Sequence, residues 1–102
     1  MRVKLYSNNK AIGTVRFVDN LDAAGPFEQT GIGKTKDGRY YLCMKTSIVT
    51  RAIARQDPDI SFFAQKYLAI VIPEASAKAW CKRYNPVLLQ ELFGNDKELP
   101  RL

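Results

Sequence analysis

The sequence predicts a small single α+β domain with an antiparallel sheet of about four to five strands, covered on one face by two or three helices. Three observations lead to this fold class. Apolar and polar residues alternate through the first half of the 102-residue chain, as in half-buried strands. Turn residues separate these segments. The last third places apolar residues at helical spacing behind a proline. We therefore expect the sheet to come mainly from residues 2–46 plus 67–72.

Length and composition favour one folded domain over residues 1–94, followed by a loose polar tail at 95–102. The chain is 46% apolar and 25% charged, which is typical of globular proteins rather than disordered ones. Its longest apolar run, residues 67–72, has the length of a strand and is too short for a membrane helix. The N-terminus alternates and lacks the apolar block of a secretion signal, so we expect a cytoplasmic protein with no membrane partner.

Two hairpins are predicted in the first half. Residues 2–7 and 11–18 form the first, because Asn8 and Asn9 between them tolerate positive φ. A loop follows over residues 19–29. The second hairpin pairs residues 30–36 with 39–45 across Asp37-Gly38, a turn signal. Strand alternation then places Tyr40, Leu42 and Met44 on one face.

The second half predicts one more strand among helices. Residues 47–56 fit a helix capped by Thr46 or Ser47, although their β-branched content also allows a continued strand. Residues 60–66 fit helical spacing and alternation equally, and 67–72 reads as a buried strand. Pro73-Glu74 opens a helix, Asn85-Pro86 opens another, and Gly94 ends it.

The stretch Gly33-Lys34-Thr35 matches the end of a phosphate-binding loop, but its context excludes that motif. The pattern requires a glycine at position 28, which is Glu28. It also requires a helix directly afterwards, where this chain has the turn Asp37-Gly38. We interpret residues 30–36 as a strand and not as a nucleotide site.

The positive charge lies in the first half of the chain. The whole chain carries +6; residues 1–56 hold ten Lys/Arg against four Asp/Glu, and residues 57–102 hold six of each. If the apolar faces of Val3/Leu5, Val15/Phe17 and Tyr40/Leu42/Met44 all meet the helices, the opposite face gathers cations and tyrosines. With a helical pair of arginines added, the predicted binding residues are Arg2, Lys4, Tyr6, Arg16, Arg39, Tyr41, Lys45, Arg51 and Arg55.

A basic, tyrosine-containing sheet face favours a nucleic-acid-binding module that contacts single-stranded DNA or RNA. Cations would meet phosphates while rings stack on bases. The alternative is a protein-interaction module, a small regulator or inhibitor that docks the same face on an acidic partner protein. Such side chains can also be ordinary solvated surface. An open hairpin edge further allows a homodimer.

Enzymatic, metal and cofactor functions are not predicted. The chain has no histidine, the commonest general base near neutral pH. Its two cysteines, Cys43 and Cys81, have no metal-ligand spacing and are expected to be reduced thiols. We expect a non-enzymatic protein with no cofactor and no metal.

Overall fold

The computed structural model describes residues 1–21, 27 and 29–93. Within them the chain forms a five-stranded sheet and three α-helices, which confirms the α+β class. The strands are β1 (Arg2–Ser7), β2 (Lys10–Arg16), β3 (Thr30–Lys34), β4 (Tyr40–Lys45) and β5 (Tyr67–Ile72). The helices are α1 (Ile48–Arg55), α2 (Glu74–Tyr84) and α3 (Leu88–Phe93), and a 3₁₀ helix spans Pro58–Ala64.

The strand order in the sheet is β2-β1-β5-β4-β3. Three of the four pairings are antiparallel, as predicted, and β1 pairs with β5 in parallel. The sheet is therefore mixed. The parallel pair joins residues more than sixty positions apart, Leu5 opposite Ala69, and places the N-terminal hairpin beside the last strand.

Both predicted hairpins are present, and backbone conformation explains their turns. Asn8 and Asn9 have φ values of 52° and 65°, the left-handed pair that a two-residue hairpin turn requires. In the second turn Gly38 has φ of 90°, which suits glycine. The Thr35 N–H donates to the Arg39 carbonyl oxygen at 2.7 Å and closes that turn.

The prediction that all the apolar strand faces meet the helices is wrong. Tyr40, Leu42 and Met44 do face α2 and α3, in a core with Leu68, Ala77, Cys81 and Leu88. The opposite face of the sheet carries a second apolar cluster of Val3, Leu5, Val15, Tyr41, Cys43 and Ala69. The pairing of Leu5 with Ala69, and of Ala69 with Cys43, puts these side chains on that opposite face.

The helix predicted over residues 47–56 is present as α1, and the rest of the second half differs from the sequence expectations in two places. Ser47 caps α1, its hydroxyl accepting the Thr50 N–H at 3.1 Å, so the alternative of a continued strand is wrong. The ambiguous stretch 60–66 mostly lies in the 3₁₀ helix and is neither α-helix nor strand. Helix α3 begins at Leu88, two residues after the expected Pro86. Gly94, the tail at 95–102 and most of the 19–29 loop lie outside the described residues.

Candidate functional site

The chain that leaves β2 crosses the sheet face opposite the helices. Val18 donates its N–H to the Cys43 sulfur at 3.4 Å, and the Tyr41 hydroxyl donates to the Arg16 carbonyl oxygen at 3.1 Å. Leu21 then forms a bridge with Thr30, its N–H donating to the Thr30 carbonyl oxygen at 3.1 Å. Residues 17–21, here called the crossing segment, thus run from one edge of the sheet to the other and cover the second apolar cluster.

Asn20 fastens the crossing segment to the edge of β3. Its side-chain amide donates to the Ile32 carbonyl oxygen at 3.0 Å, and its side-chain oxygen accepts the Ile32 N–H at 2.9 Å. One side chain therefore satisfies both backbone groups, as a neighbouring strand would. Gly31 permits this approach, because a Cβ there would lie under 3.0 Å from the Val18 carbonyl group and the Asn20 side chain.

A groove of about 1070 Å³ opens beside the crossing segment, between β2 and the turn that joins β3 to β4. Among the described lining residues, the charged ones are Arg2, Arg16, Asp19, Lys34, Lys36, Asp37 and Arg39. All seven are exposed, so the groove offers five cations and two carboxylates to solvent.

The β3–β4 turn fixes its own charges. Asp37 pairs with Arg39 at 3.1 Å between Oδ2 and Nη2, and it accepts a hydrogen bond from the Thr35 hydroxyl. The hydrogen bond from Thr35, followed by that from Arg39, lowers the pKa of the Asp37 carboxyl. Because this carboxylate is already paired within the turn, it does little to neutralise the rest of the groove. Lys36 projects from the same turn, and Lys34 places its ammonium 5.4 Å from the centre of the Tyr40 ring.

Arg2 and Arg16 form the other wall of the groove as directly paired residues of β1 and β2. Arg2 donates to Thr14 twice, from Nε to the hydroxyl at 3.2 Å and from Nη2 to the carbonyl oxygen at 2.9 Å. Like charges directly opposite each other in a sheet are unfavourable. The hydrogen bonds to Thr14 hold the Arg2 guanidinium in place despite that repulsion.

Tyr41 lies beneath the groove and is not a stacking surface. The residue is only 5% exposed, and its hydroxyl is bonded to the Arg16 carbonyl oxygen at the end of β2. Burial raises the pKa of the Tyr41 hydroxyl, and the neighbouring Cys43 raises it further, while Arg16 and Arg2 act against this shift. Tyr41 therefore stays a neutral hydrogen-bond donor over a wide pH range.

The structure brings together only part of the predicted binding set. Arg2, Arg16 and Arg39 line the groove, and Tyr41 forms its floor. The other five lie outside the lining of the groove: Lys4, Tyr6, Lys45, Arg51 and Arg55. The prediction that the seven sheet residues of this set share one open face is wrong, because Tyr6 and Tyr41 lie on opposite faces and both are covered.

Each of those five has its own surroundings. Tyr6 is half-buried, with its ring centre 5.3 Å from that of Phe62 and its hydroxyl accepting from Gln65. Lys4 is exposed on β1. Lys45 is half-buried at the far end of β4, and Arg51 donates to the Thr46 carbonyl oxygen at 2.7 Å. Arg55 is exposed at the end of α1.

Sequence reasoning missed Lys36 as a binding residue and Lys34 as a neighbour of the groove. Their only sequence signal was the excess of cations in residues 1–56, to which both contribute. Assigning them to the groove requires knowing that the crossing segment brings β2 and the β3–β4 turn to the same place.

Comparison of the chain with protein-family models, curated proteins and solved structures finds no match in any of the three. Over the residues that the structure describes, no group of three or more metal-binding side chains occurs. In the same part of the chain, no helix has the length and apolar character needed to cross a membrane. The groove itself is therefore the feature of the molecule that indicates a function.

Proposed function

We propose that this protein is a non-enzymatic nucleic-acid-binding module that holds the sugar-phosphate backbone of a single strand in the groove between β2 and the β3–β4 turn. The observation that carries the proposal is the charge of that groove. Arg2, Arg16 and Lys36 face one unpaired acid, Asp19, among the described lining residues, because Asp37 is occupied by Arg39. Lys34 also lines the groove, but its ammonium lies over the Tyr40 ring on the helix side of the sheet. Clustered cations supply the dominant, sequence-independent part of nucleic-acid affinity.

The shape of the groove favours a single strand over a duplex. Proteins that read duplex DNA insert a convex element, a helix or a β-ribbon, into its groove. Here the cations line a concave surface that can follow one backbone, as in proteins that bind single strands. Since Tyr41 and Tyr6 are covered, base stacking on them is not part of this proposal. We therefore expect little sequence preference.

A salt titration tests the proposal. Fluorescence anisotropy would follow labelled oligo-dT, oligo-U and a duplex of equal length as the salt concentration rises. Contacts from the groove cations Arg2, Arg16 and Lys36 predict a slope of roughly −2 for log K against log salt on single strands, at about 0.7 per phosphate. Single strands should bind more tightly than the duplex. Absence of binding at low salt would contradict the proposal and leave the groove to the alternative partner, an acidic protein.

A further inference from the structure

Helix α1 turns its apolar side to solvent. Ile48, Val49 and Ile53 are 76%, 67% and 57% exposed, and Ala52 beside them is exposed as well. These four residues, here called the α1 patch, occupy one continuous arc of the helix. The reverse side of α1 carries Thr50, Arg51 and the fully buried Ala54 and packs mainly against the 3₁₀ helix. An amphipathic helix normally buries its apolar stripe, so this orientation is the opposite of the usual one.

The orientation of α1 is held by specific contacts. Ser47 caps the first turn, accepting the Thr50 N–H at 3.1 Å. Arg51 reaches back from the inner side and donates to the Thr46 carbonyl oxygen at 2.7 Å and to its hydroxyl at 3.3 Å. Thr46 is itself buried and donates to the Gln65 carbonyl oxygen at 2.6 Å. The α1 patch is thus presented on a fixed helix, and a partner would not have to reorganise it.

The charges of α1 restrict the partner. The helix carries no acidic residue, and its two cations differ in their surroundings. Arg51 lies on the inner side and is bonded to Thr46, whereas Arg55 is exposed next to the α1 patch. A second copy of α1 offers no carboxylate to pair with Arg55, and each chain carries a net charge of +6, so self-pairing of the α1 patch would bring like charges together. A flank of carboxylates would instead pair with Arg55 and complement the basic chain.

We infer that the α1 patch docks on a partner protein that offers an apolar groove or helix flanked by Asp and Glu residues. Ile48, Val49 and Ile53 would fill the apolar part of that site, as side chains at successive turns do in helix-in-groove recognition. Arg55 would meet the acidic rim and set the orientation. This surface is separate from the basic groove of the proposed function, because none of the α1 residues lines that groove.

Three synthetic helical peptides test the inference in a fluorescence anisotropy assay with the intact protein. The first has a leucine stripe flanked by glutamates. The second replaces the glutamates with lysines, and the third keeps the glutamates but replaces the leucines with serines. We expect the first to bind at least about tenfold more tightly than either control, because both the apolar stripe and the acidic flank contribute.

Protein variants then locate the binding surface. Ile48→Ser with Ile53→Ser should reduce affinity for the first peptide about tenfold or more, and because both side chains are exposed these changes should leave the urea unfolding midpoint unchanged. Lys4→Gln with Lys82→Gln, at two exposed lysines outside both α1 and the basic groove, should leave peptide affinity within about twofold. Failure of oligonucleotide binding would leave these results intact, so the two proposals can fail independently.

Several outcomes would overturn the inference. If the glutamate and lysine peptides bound equally well, the α1 patch would have no preference for an acidic partner. If the Ile48/Ile53 variant kept its affinity for the first peptide, the α1 patch would not be the binding surface. Sedimentation velocity that shows a dimer dissociated by Ile53→Ser would assign the patch to a second copy of this chain. Binding to phosphatidylglycerol vesicles that Ile53→Ser abolishes, without binding to the first peptide, would assign it to a lipid surface.

Discussion

The ring of Tyr41 lies against the backbone of Gly33, the residue directly opposite it in the β3–β4 hairpin. A Cβ at Gly33 would come under 3.0 Å from the Tyr41 ring and its hydroxyl oxygen. The missing side chain lets the ring lie across β3 and reach the Arg16 carbonyl oxygen at 3.1 Å. Gly33 and Tyr41 thus form the floor of the basic groove and connect the β3–β4 hairpin to the end of β2.

Gly33→Ala should destabilise the protein by about 1–3 kcal/mol, because the new methyl group forces the Tyr41 ring out of its position. Urea denaturation measures the change in the free energy of unfolding. The matched control is the same substitution in a Tyr41→Val background, where no ring occupies the space. There Gly33→Ala should be neutral or slightly stabilising. An equal cost in both backgrounds would show that the ring is not the cause.

The hairpins could be predicted from the sequence, whereas the faces of the sheet could not. Asn8-Asn9 and Asp37-Gly38 are local signals, and both turns formed where those signals lie. In β4, however, all five residues from Tyr40 to Met44 are buried, since the strand is covered on both faces. A strand that is buried on both faces has no alternation of apolar and polar residues, so its sequence does not indicate which side chains face the helices.

The same limit applies to the candidate site. Arg2 and Arg16 could be predicted together because a short hairpin pairs them directly. Lys36 joins them only because the crossing segment spans the sheet, held by contacts such as Val18 to Cys43 that link residues 25 positions apart. Such contacts leave no periodic pattern in the sequence. The spacing of Arg51 and Arg55 predicts a pair of binding arginines, but the Arg51 guanidinium donates to the Thr46 carbonyl oxygen within the fold.

Reversing two groove charges should weaken oligonucleotide binding. Arg16→Glu with Lys36→Glu removes two phosphate contacts and adds repulsion, so we expect affinity to fall about tenfold or more and the salt slope to shrink by roughly 1.4. Anisotropy titrations at several salt concentrations measure both quantities. The control, Lys4→Glu with Lys82→Glu, makes the same change in net charge at two exposed lysines outside the groove lining. If the two double variants lost affinity equally, overall charge and not the groove would explain binding.

Cys43 should make the protein less stable at alkaline pH. Its side chain is completely buried in the second apolar cluster, and burial raises the pKa of the thiol from 9.0 to about 11. The unfolded chain therefore loses this proton before the folded protein does. The contribution of the neutral Cys43 thiol to the free energy of unfolding is therefore fully present below pH 9. It is lost as pH rises to about 11, and the total loss is up to about 3 kcal/mol.

The Cys43→Ala variant isolates that contribution. Its free energy of unfolding should be lower at neutral pH, because the packing of the sulfur and its contact with the Val18 N–H are lost. Its decline between pH 9 and pH 11 should be shallower than that of the unmodified protein, in which Cys43, Cys81 and Tyr41 all have raised pKa values. Urea denaturation across this range compares the two slopes, and parallel slopes would rule out Cys43 as a source.

Asn20→Asp should detach the crossing segment from β3 in a pH-dependent way. The new carboxylate can still accept the Ile32 N–H, but it cannot donate to the Ile32 carbonyl oxygen and would repel it. We expect a loss of about 1–3 kcal/mol at pH 7. Protonation near the ordinary Asp pKa of about 3.9 restores a donor, so the difference from the unmodified protein should narrow as pH falls to about 3. The matched Asn20→Ala variant has no group to titrate, and its deficit should stay constant over the same range. Urea denaturation at pH 7 and at about pH 3 measures the free energy of unfolding of both variants. If the loss caused by Asn20→Asp were as independent of pH as the loss caused by Asn20→Ala, the hydrogen bond to the Ile32 carbonyl oxygen would not be what holds this edge.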